Sequence, residues 1–241
     1  MIEVHRPHRN FYGRIKGHPL SRRQQAYLNE DLADWSLDHV TWVENPERQP
    51  IDLETIFGDA DIRLEIGFGS GEHLVLQAEQ NPKIGFIGAE PYVNGVAALL
   101  AKLQERRLSN LRIFAGDVRD LMDVLPEGSI AVTYLLYPDP WPKKRHHRRR
   151  FVTSENLGPL ARIMRSDGIV RIATDIPDYA RQALEELPKF GFEWLAQSPS
   201  DWRQPWPNWV STRYEQKALR HSRVPHYLTF SRLRCSKSNV P

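Results

Sequence analysis

From residue 61 onward the chain alternates short β-branched runs with longer amphipathic stretches, and this alternation limits its fold more than any other feature. The runs at 62–66, 83–89, 111–115, 130–136 and 168–173 read as strands, and 72–80, 93–107, 120–125 and 154–164 carry helical periodicity between them. Strands that alternate with helix-length stretches predict a parallel sheet with crossover helices. Beyond them, 178–190 reads as a helix, 192–195 as a strand, 199–208 as a loop rich in Pro and Trp, 212–220 as a helix and 226–233 as a last strand. The expected fold is α/β and Rossmann-like, a mostly parallel seven-stranded sheet with helices on both faces. Ahead of it, 30–60 offers Trp35, Leu37, Val40 and Trp42 for packing and a short helix at 52–57. Residues 1–29 mix charge, Gly and Pro with little periodicity and are expected to be a flexible basic arm. The division is therefore an arm, 1–29, and a single domain, 30–241, without internal repeats.

A length of 241 residues with 40% hydrophobic side chains suits one α/β core. No apolar run approaches the ~20 residues that span a bilayer, and the polar, His/Arg-rich start lacks a signal-peptide core. The one cysteine, Cys235, excludes an internal disulfide framework. A soluble, cytoplasmic protein is expected. Its net charge of +3 is unevenly spread: residues 1–29, 143–150 and 202–241 hold 20 of the 33 Lys and Arg but only two acids, Glu3 and Glu215. An acidic body with basic appendages predicts a polyanionic partner, because clustered cations gain by displacing counterions from phosphates.

The first strand leads directly into Gly67-Phe68-Gly69-Ser70-Gly71 and then into a helix at Glu72. Glycines belong where a backbone turns sharply and lets a ligand approach without a Cβ in the way. A dinucleotide fold uses the same device, but here the third glycine comes too early for its fingerprint. Glu72 at the helix start would also oppose a pyrophosphate. Glu65, just before the glycines, suits a ligand bearing an ammonium and a sulfonium, which points to S-adenosylmethionine. Glu90 ends the second strand, about 20 residues past the turn, where an acid accepts ribose hydroxyls. Asp117 follows the third strand and could accept from an adenine amino group. Either acid alone could equally be a cap or a solvated turn residue. Three acids at three strand ends beside one pocket argue for a ligand, since open α/β sheets bind beyond the carboxyl ends of their strands.

After the fourth strand, prolines on both sides of Asp139 in Pro138-Asp139-Pro140-Trp141-Pro142 stiffen the backbone that carries it. The run Lys143-Lys144-Arg145-His146-His147-Arg148-Arg149-Arg150 follows at once. Cations there would grip phosphates while the acid engages one base; a turn followed by a solvated basic helix is the plainer alternative. His146 and His147 lack a carboxylate or cysteine at ligand spacing, so no metal is expected. Asp175 ends the fifth strand and should face the same mouth, while Asp178 could cap the next helix. Thr212, Arg213, Tyr214 and Glu215 offer donors, a stacking face and an acceptor for a base edge. They could also be a helix start, with Thr212 as cap and Glu215 completing a capping box. For Trp202, Trp206 and Trp209, packing against the last strand is slightly preferred.

Taken together, Leu64 to His73, Gly88 to Tyr92, Pro138 to His146, Thr174-Asp175 and Thr212 to Glu215 closely resemble bacterial tRNA (guanine-N7-)-methyltransferases, in family order across residues 64–215. The Asp139 segment with its basic run is the specific part; the glycine turn is not. The resemblance implies a class I methyltransferase fold and S-adenosylmethionine as cofactor. It implies that Glu65, Gly67, Gly69, Gly71, Glu90, Asp117 and Asp139 bind the cofactor, with Asp139 also catalytic. Lys143, Asp175, Thr212, Arg213, Tyr214 and Glu215 would bind the guanine or its surroundings. Arg145, His146, His147, Arg148, Arg149 and Arg150 would contact the RNA. The implied substrate is guanosine 46 in the variable loop of tRNA. Arg213 stands where the family often has Lys, which keeps the charge but alters the geometry. Two alternatives stay open from the residues: an amino-methyltransferase on adenine or cytosine, which the Pro-Asp-Pro-Trp segment loosely matches, and a non-catalytic tRNA-binding module.

Overall fold

The computed structural model describes residues 9–234; Cys235 and the first eight residues of the basic arm lie outside them. The chain enters through α1 (Arg22–Ala26), a π-helical turn (Tyr27–Asp31) and α2 (Leu32–Trp35), followed by α3 (Leu53–Phe57). The alternating part runs β1 (Ile62–Ile66), α4 (Glu72–Gln80), β2 (Gly85–Ala89), α5 (Val93–Leu103), β3 (Leu111–Phe114), α6 (Val118–Val124) and β4 (Ile130–Leu136). A 3₁₀ helix (Lys144–Arg149) precedes α7 (Ser154–Ile163), β5 (Met164–Thr174) and α8 (Pro177–Glu186). The chain closes with a 3₁₀ turn (Leu187–Phe190), β6 (Phe192–Trp194), α9 (Ser200–Arg203), α10 (Arg213–Arg220) and β7 (His226–Arg232).

All seven strands form one sheet in the order β3-β2-β1-β4-β5-β7-β6. Strands β1 to β5 pair in parallel, and β7 lies antiparallel between β5 and β6. The order reverses direction between β1 and β4, so the carboxyl ends of these two strands border a switch-point crevice. Alternate side chains serve opposite faces, as the pleat requires. Ile87, Leu135, Ile172 and Leu228 join the core under α6, α7 and α8. Phe86, Leu111 and Ile113 pack with α4 and α5 instead, while Tyr134, Ala173 and Tyr227 pack against Trp206. The Trp loop therefore covers the β4–β5–β7 part of the sheet: Trp206 Nε1 donates to Thr229 Oγ1 at 2.8 Å, and Trp202 stacks on His226.

Three boundaries differ from expectation for visible reasons. The arm/domain border at 29/30 falls inside the continuous helical stretch 22–35, started by a capping box between Ser21 and Gln24 and seated by buried Tyr27. Part of the expected flexible arm is thus helix packed on α5 and β3. Strand β5 starts at Met164, not Gly168, because the polar Arg165-Ser166-Asp167 forms a bulge between Met164, paired with Ile130, and Ile169, paired with Val132. The segment 199–208 contains one helical turn, α9, inside the expected loop. Among the described residues no helix is long and apolar enough to cross a membrane.

Candidate functional site: an acidic cleft at the strand ends

The turn after β1 is built on three glycines with positive φ, Gly67 at 73°, Gly69 at 58° and Gly71 at 76°. Side chains other than glycine reach that region only with strain. Gly71 starts α4 as its N-cap, and a Cβ on it would strike Leu99 of α5. On Gly95, in the first turn of α5, a Cβ would strike the carbonyl oxygen of Gly69. Sequence reasoning missed Gly95, because a glycine in a helical run gives no sign of which backbone it must admit.

The acids meet here. Glu65 is 4% exposed, and His73 Nδ1 of α4 lies 2.6 Å from its Oε2. Glu90 accepts from the Gly69 N–H at 2.7 Å and from the Tyr92 N–H at 2.9 Å, so it ties the β2 end to the glycine turn. Burial raises the Glu90 pKa, the two N–H donors oppose the rise, and the charges of Asp139 and Glu65 add to it. These three carboxylates therefore share one neighbourhood. Asp139 is open to solvent on one side, yet the surrounding protein desolvates it enough to raise its pKa, with Arg14 opposing. The two residues bracketing Pro138-Asp139-Pro140 are also left-handed, Tyr137 at φ 49° and Trp141 at φ 40°. Such positions cost about 1–3 kcal/mol each and persist only where surroundings over-determine them. Tyr137 is held by its hydroxyl, which donates to Glu215 Oε1 at 3.2 Å.

Asp117 sits at the β3 end as the N-cap of α6, accepting from the Arg119 N–H at 3.0 Å. The Arg119 guanidinium grips both its carboxylate oxygens, which is the capping alternative. Asp175 follows β5 directly and pairs with Arg223 at 3.0 Å. Asp178 does not cap α8, whose N-cap is Ile176; it receives Arg150 at 2.8 Å and lies 3.2 Å from His147 Nε2. The Arg150 hydrogen bond is the main reason that its pKa is lowered.

The structure divides the remaining expected contacts. Lys143, Lys144, Arg145 and Arg148 are exposed on the 3₁₀ segment. Arg149 lies 4.8 Å from the Tyr12 ring and 5.0 Å from the Trp141 ring, and His146 meets Trp141 edge-on. Desolvation, then the cations Arg149, Arg145, Lys143 and Arg148, lower the His146 pKa. Arg150, expected among the RNA contacts, is 2% exposed. Its guanidinium donates to Pro140 O, Asp178 and Gln182 and stacks over Tyr179, so it braces the Asp139 loop instead.

Thr212 and Glu215 are likewise corrected. Thr212 Oγ1 caps α10 by accepting from the Glu215 N–H, but the Glu215 carboxylate turns inward rather than completing the box. It accepts from Trp209 Nε1 at 2.9 Å, from Tyr137 and from the Tyr227 hydroxyl, and it is 4% exposed. Burial first, then the Glu215 charge, raises the Tyr137 pKa. Glu215 is thus a buried clamp joining β4, β7 and the Trp loop. Its neighbours stay outside: Tyr214 is 44% exposed and packs on Gly69, and Arg213 lies over the Tyr214 ring and donates to its hydroxyl at 3.2 Å.

Three acids around a glycine turn at the switch point fit a cationic ligand, and the sulfonium and ammonium of S-adenosylmethionine match that donor set. Sheet and site together define a class I, S-adenosylmethionine-dependent methyltransferase. The 16S rRNA methyltransferase KamB shares the fold, with a TM-score of 0.56 at 17% identity over 77% of this chain and 95% of its own. The family model described as "Putative methyltransferase" matches residues 59–227. A tRNA (guanine-N(7)-)-methyltransferase of Ruegeria pomeroyi is 64% identical over 95% of this chain and 96% of its own. One from Roseobacter denitrificans is 63% identical over 96% and 100%. The chain belongs to the tRNA (guanine-N7-)-methyltransferase family.

Proposed function

We propose that the protein transfers a methyl group from S-adenosylmethionine to N7 of a guanosine in the variable loop of tRNA, guanosine 46. The observation that carries this is the shared neighbourhood of Glu65, Glu90 and Asp139 beside an exposed cationic segment. The cofactor supplies an electrophilic methyl on a positive sulfur. Glu65, held by His73, receives its ammonium end, and Glu90 its ribose. Asp117 stands at the adenine end.

Guanine N7 has an in-plane lone pair, so the protein needs no strong general base. It must hold the purine in line with the methyl, and positioning alone can supply ~7–11 kcal/mol. Methyl transfer to N7 would leave positive charge on the purine, and Asp139, on its strained loop, would stabilise that charge. Asp175, Lys143, Arg213 and Tyr214 form the base-binding rim, and Arg145 and Arg148 hold phosphates. A cytoplasmic setting follows from this substrate.

The test is incubation of the pure protein with unmodified tRNA and labelled methyl donor, with nucleoside mapping of the product. N7-methylguanosine in the variable loop is expected; a methylated adenine or cytosine amino group would overturn the reading. Asp139→Asn should lower turnover by about 10²-fold at saturating cofactor. Full turnover in that variant would refute the catalytic role of Asp139.

A further inference from the structure

Residues 9–18, nominally part of a free arm, are tied to the segments that follow β3, β4 and β2. Arg9 forks onto Asp123 of α6 at 2.7 and 2.9 Å and reaches Asp120 at 3.1 Å. The Asn10 carbonyl accepts from Arg119, the residue that grips Asp117. Tyr12 meets Trp141 edge-on at 6.4 Å and carries Arg149 on its ring. The Ile15 carbonyl accepts from the Val93 N–H at 2.9 Å at the start of α5. Asn94 closes the far end, accepting from the Gly17 N–H and donating to the His18 carbonyl, both at 2.8 Å. At the glycine turn the neighbour is Tyr214, whose ring edge stands beside Gly69. The segment thus passes from the β3 end, by the β4 end, to the β2 end.

Little burial holds its middle. Phe11 and Ile15 remain 38% and 51% exposed, so the fastening lies in the two polar ends and the Tyr12 contact. A segment with few buried apolar contacts opens at low cost. We propose that residues 9–18 form a strap that closes over the cofactor cleft and retains its occupant. The proposal rests on the assignment of the cleft to the cofactor.

The test uses the full chain with Arg9→Ala and Asn94→Ala, each checked for an unchanged melting temperature. The dissociation rate of S-adenosylhomocysteine is measured. Unfastening either end should speed release by roughly tenfold, as expected for one lost charge-assisted or paired hydrogen-bond anchor. Two anchors at opposite ends keep the test decisive if one variant fails to fold. Unchanged release in the folded anchor variant or variants overturns the closing strap. If Asp139→Asn keeps full turnover while the anchor variants still release faster, the catalytic reading falls and the strap stands.

Discussion

At the residue scale, the same residue types carry opposite assignments depending on what lies across the fold from them. Glu215 looks like a free acceptor in a basic tail, but it is the buried meeting point of two phenols and an indole from three separate segments. Hydrogen bonds to charged groups contribute about 1.5–3 kcal/mol, and removal of a buried acceptor leaves its donors unpaired. Glu215→Ala should therefore cost about 3 kcal/mol and lower the melting temperature by roughly 6–12 °C. Because Tyr137 would lose the bond that holds it at positive φ, turnover should fall along with stability. A thermal melt of the variant checks this, and a melt within 2 °C of the parent, by the same scaling, would contradict the clamp. Arg150 shows the converse. Nothing local separates it from Arg148 and Arg149 in a run of basic residues; burial against Tyr179 and a carboxylate 28 positions later does.

At the scale of elements, the cleft depends on how closely α5 approaches the glycine turn. Ala is about 1 kcal/mol better than Gly in a helix interior, so Gly95→Ala should help α5 by propensity alone. The added Cβ, however, meets the Gly69 carbonyl and lies 3.4 Å from Glu90 Cγ. Overpacking of this kind costs about 1–3 kcal/mol. The turn can relieve it only by moving the Gly69 N–H away from Glu90. The expected result is a folded protein whose S-adenosylhomocysteine affinity falls on the order of tenfold, measured by titration calorimetry. This contact also marks where sequence reading stops. All seven strands, the glycine turn and the acids Glu65, Glu90 and Asp139 could be placed from the sequence, because period, strand ends and turn chemistry are local signals. The bulge at 165–167, the helix across 22–35 and the course of residues 9–18 could not, because each is decided by a distant partner: Ile130, the α5 surface, and Asp123 with Asn94. The prolines around Asp139 predict a stiff loop, but nothing in the sequence predicts the two left-handed residues that bracket it.

At the scale of the whole molecule, each of the three basic stretches identified from charge counts sends a part to the strand-end side of the sheet: residues 9–18, the 3₁₀ segment and the start of α10, while Arg232 lies at the opposite end of β7. Cations gathered at that rim steer RNA toward the mouth. The raw count overstates the grip, however. Arg9 is committed to Asp120 and Asp123, Arg150 to Asp178 and Arg223 to Asp175. A cation already paired releases little when a phosphate arrives, because its counter-charge must first be displaced. Arg145 and Arg148 are exposed, with no carboxylate at ion-pair distance among the described residues. Each RNA–phosphate contact contributes about one to the slope of log K against log salt. Arg145→Ala and Arg148→Ala should therefore each flatten that slope by about one, with the melting temperature unchanged. Arg150→Ala should leave the slope intact and lower the melting temperature, since it removes the brace of the Asp139 loop. Filter-binding of tRNA across a salt series, beside thermal melts of the three variants, separates the two kinds of arginine; a flattened slope in Arg150→Ala would return that residue to the RNA surface.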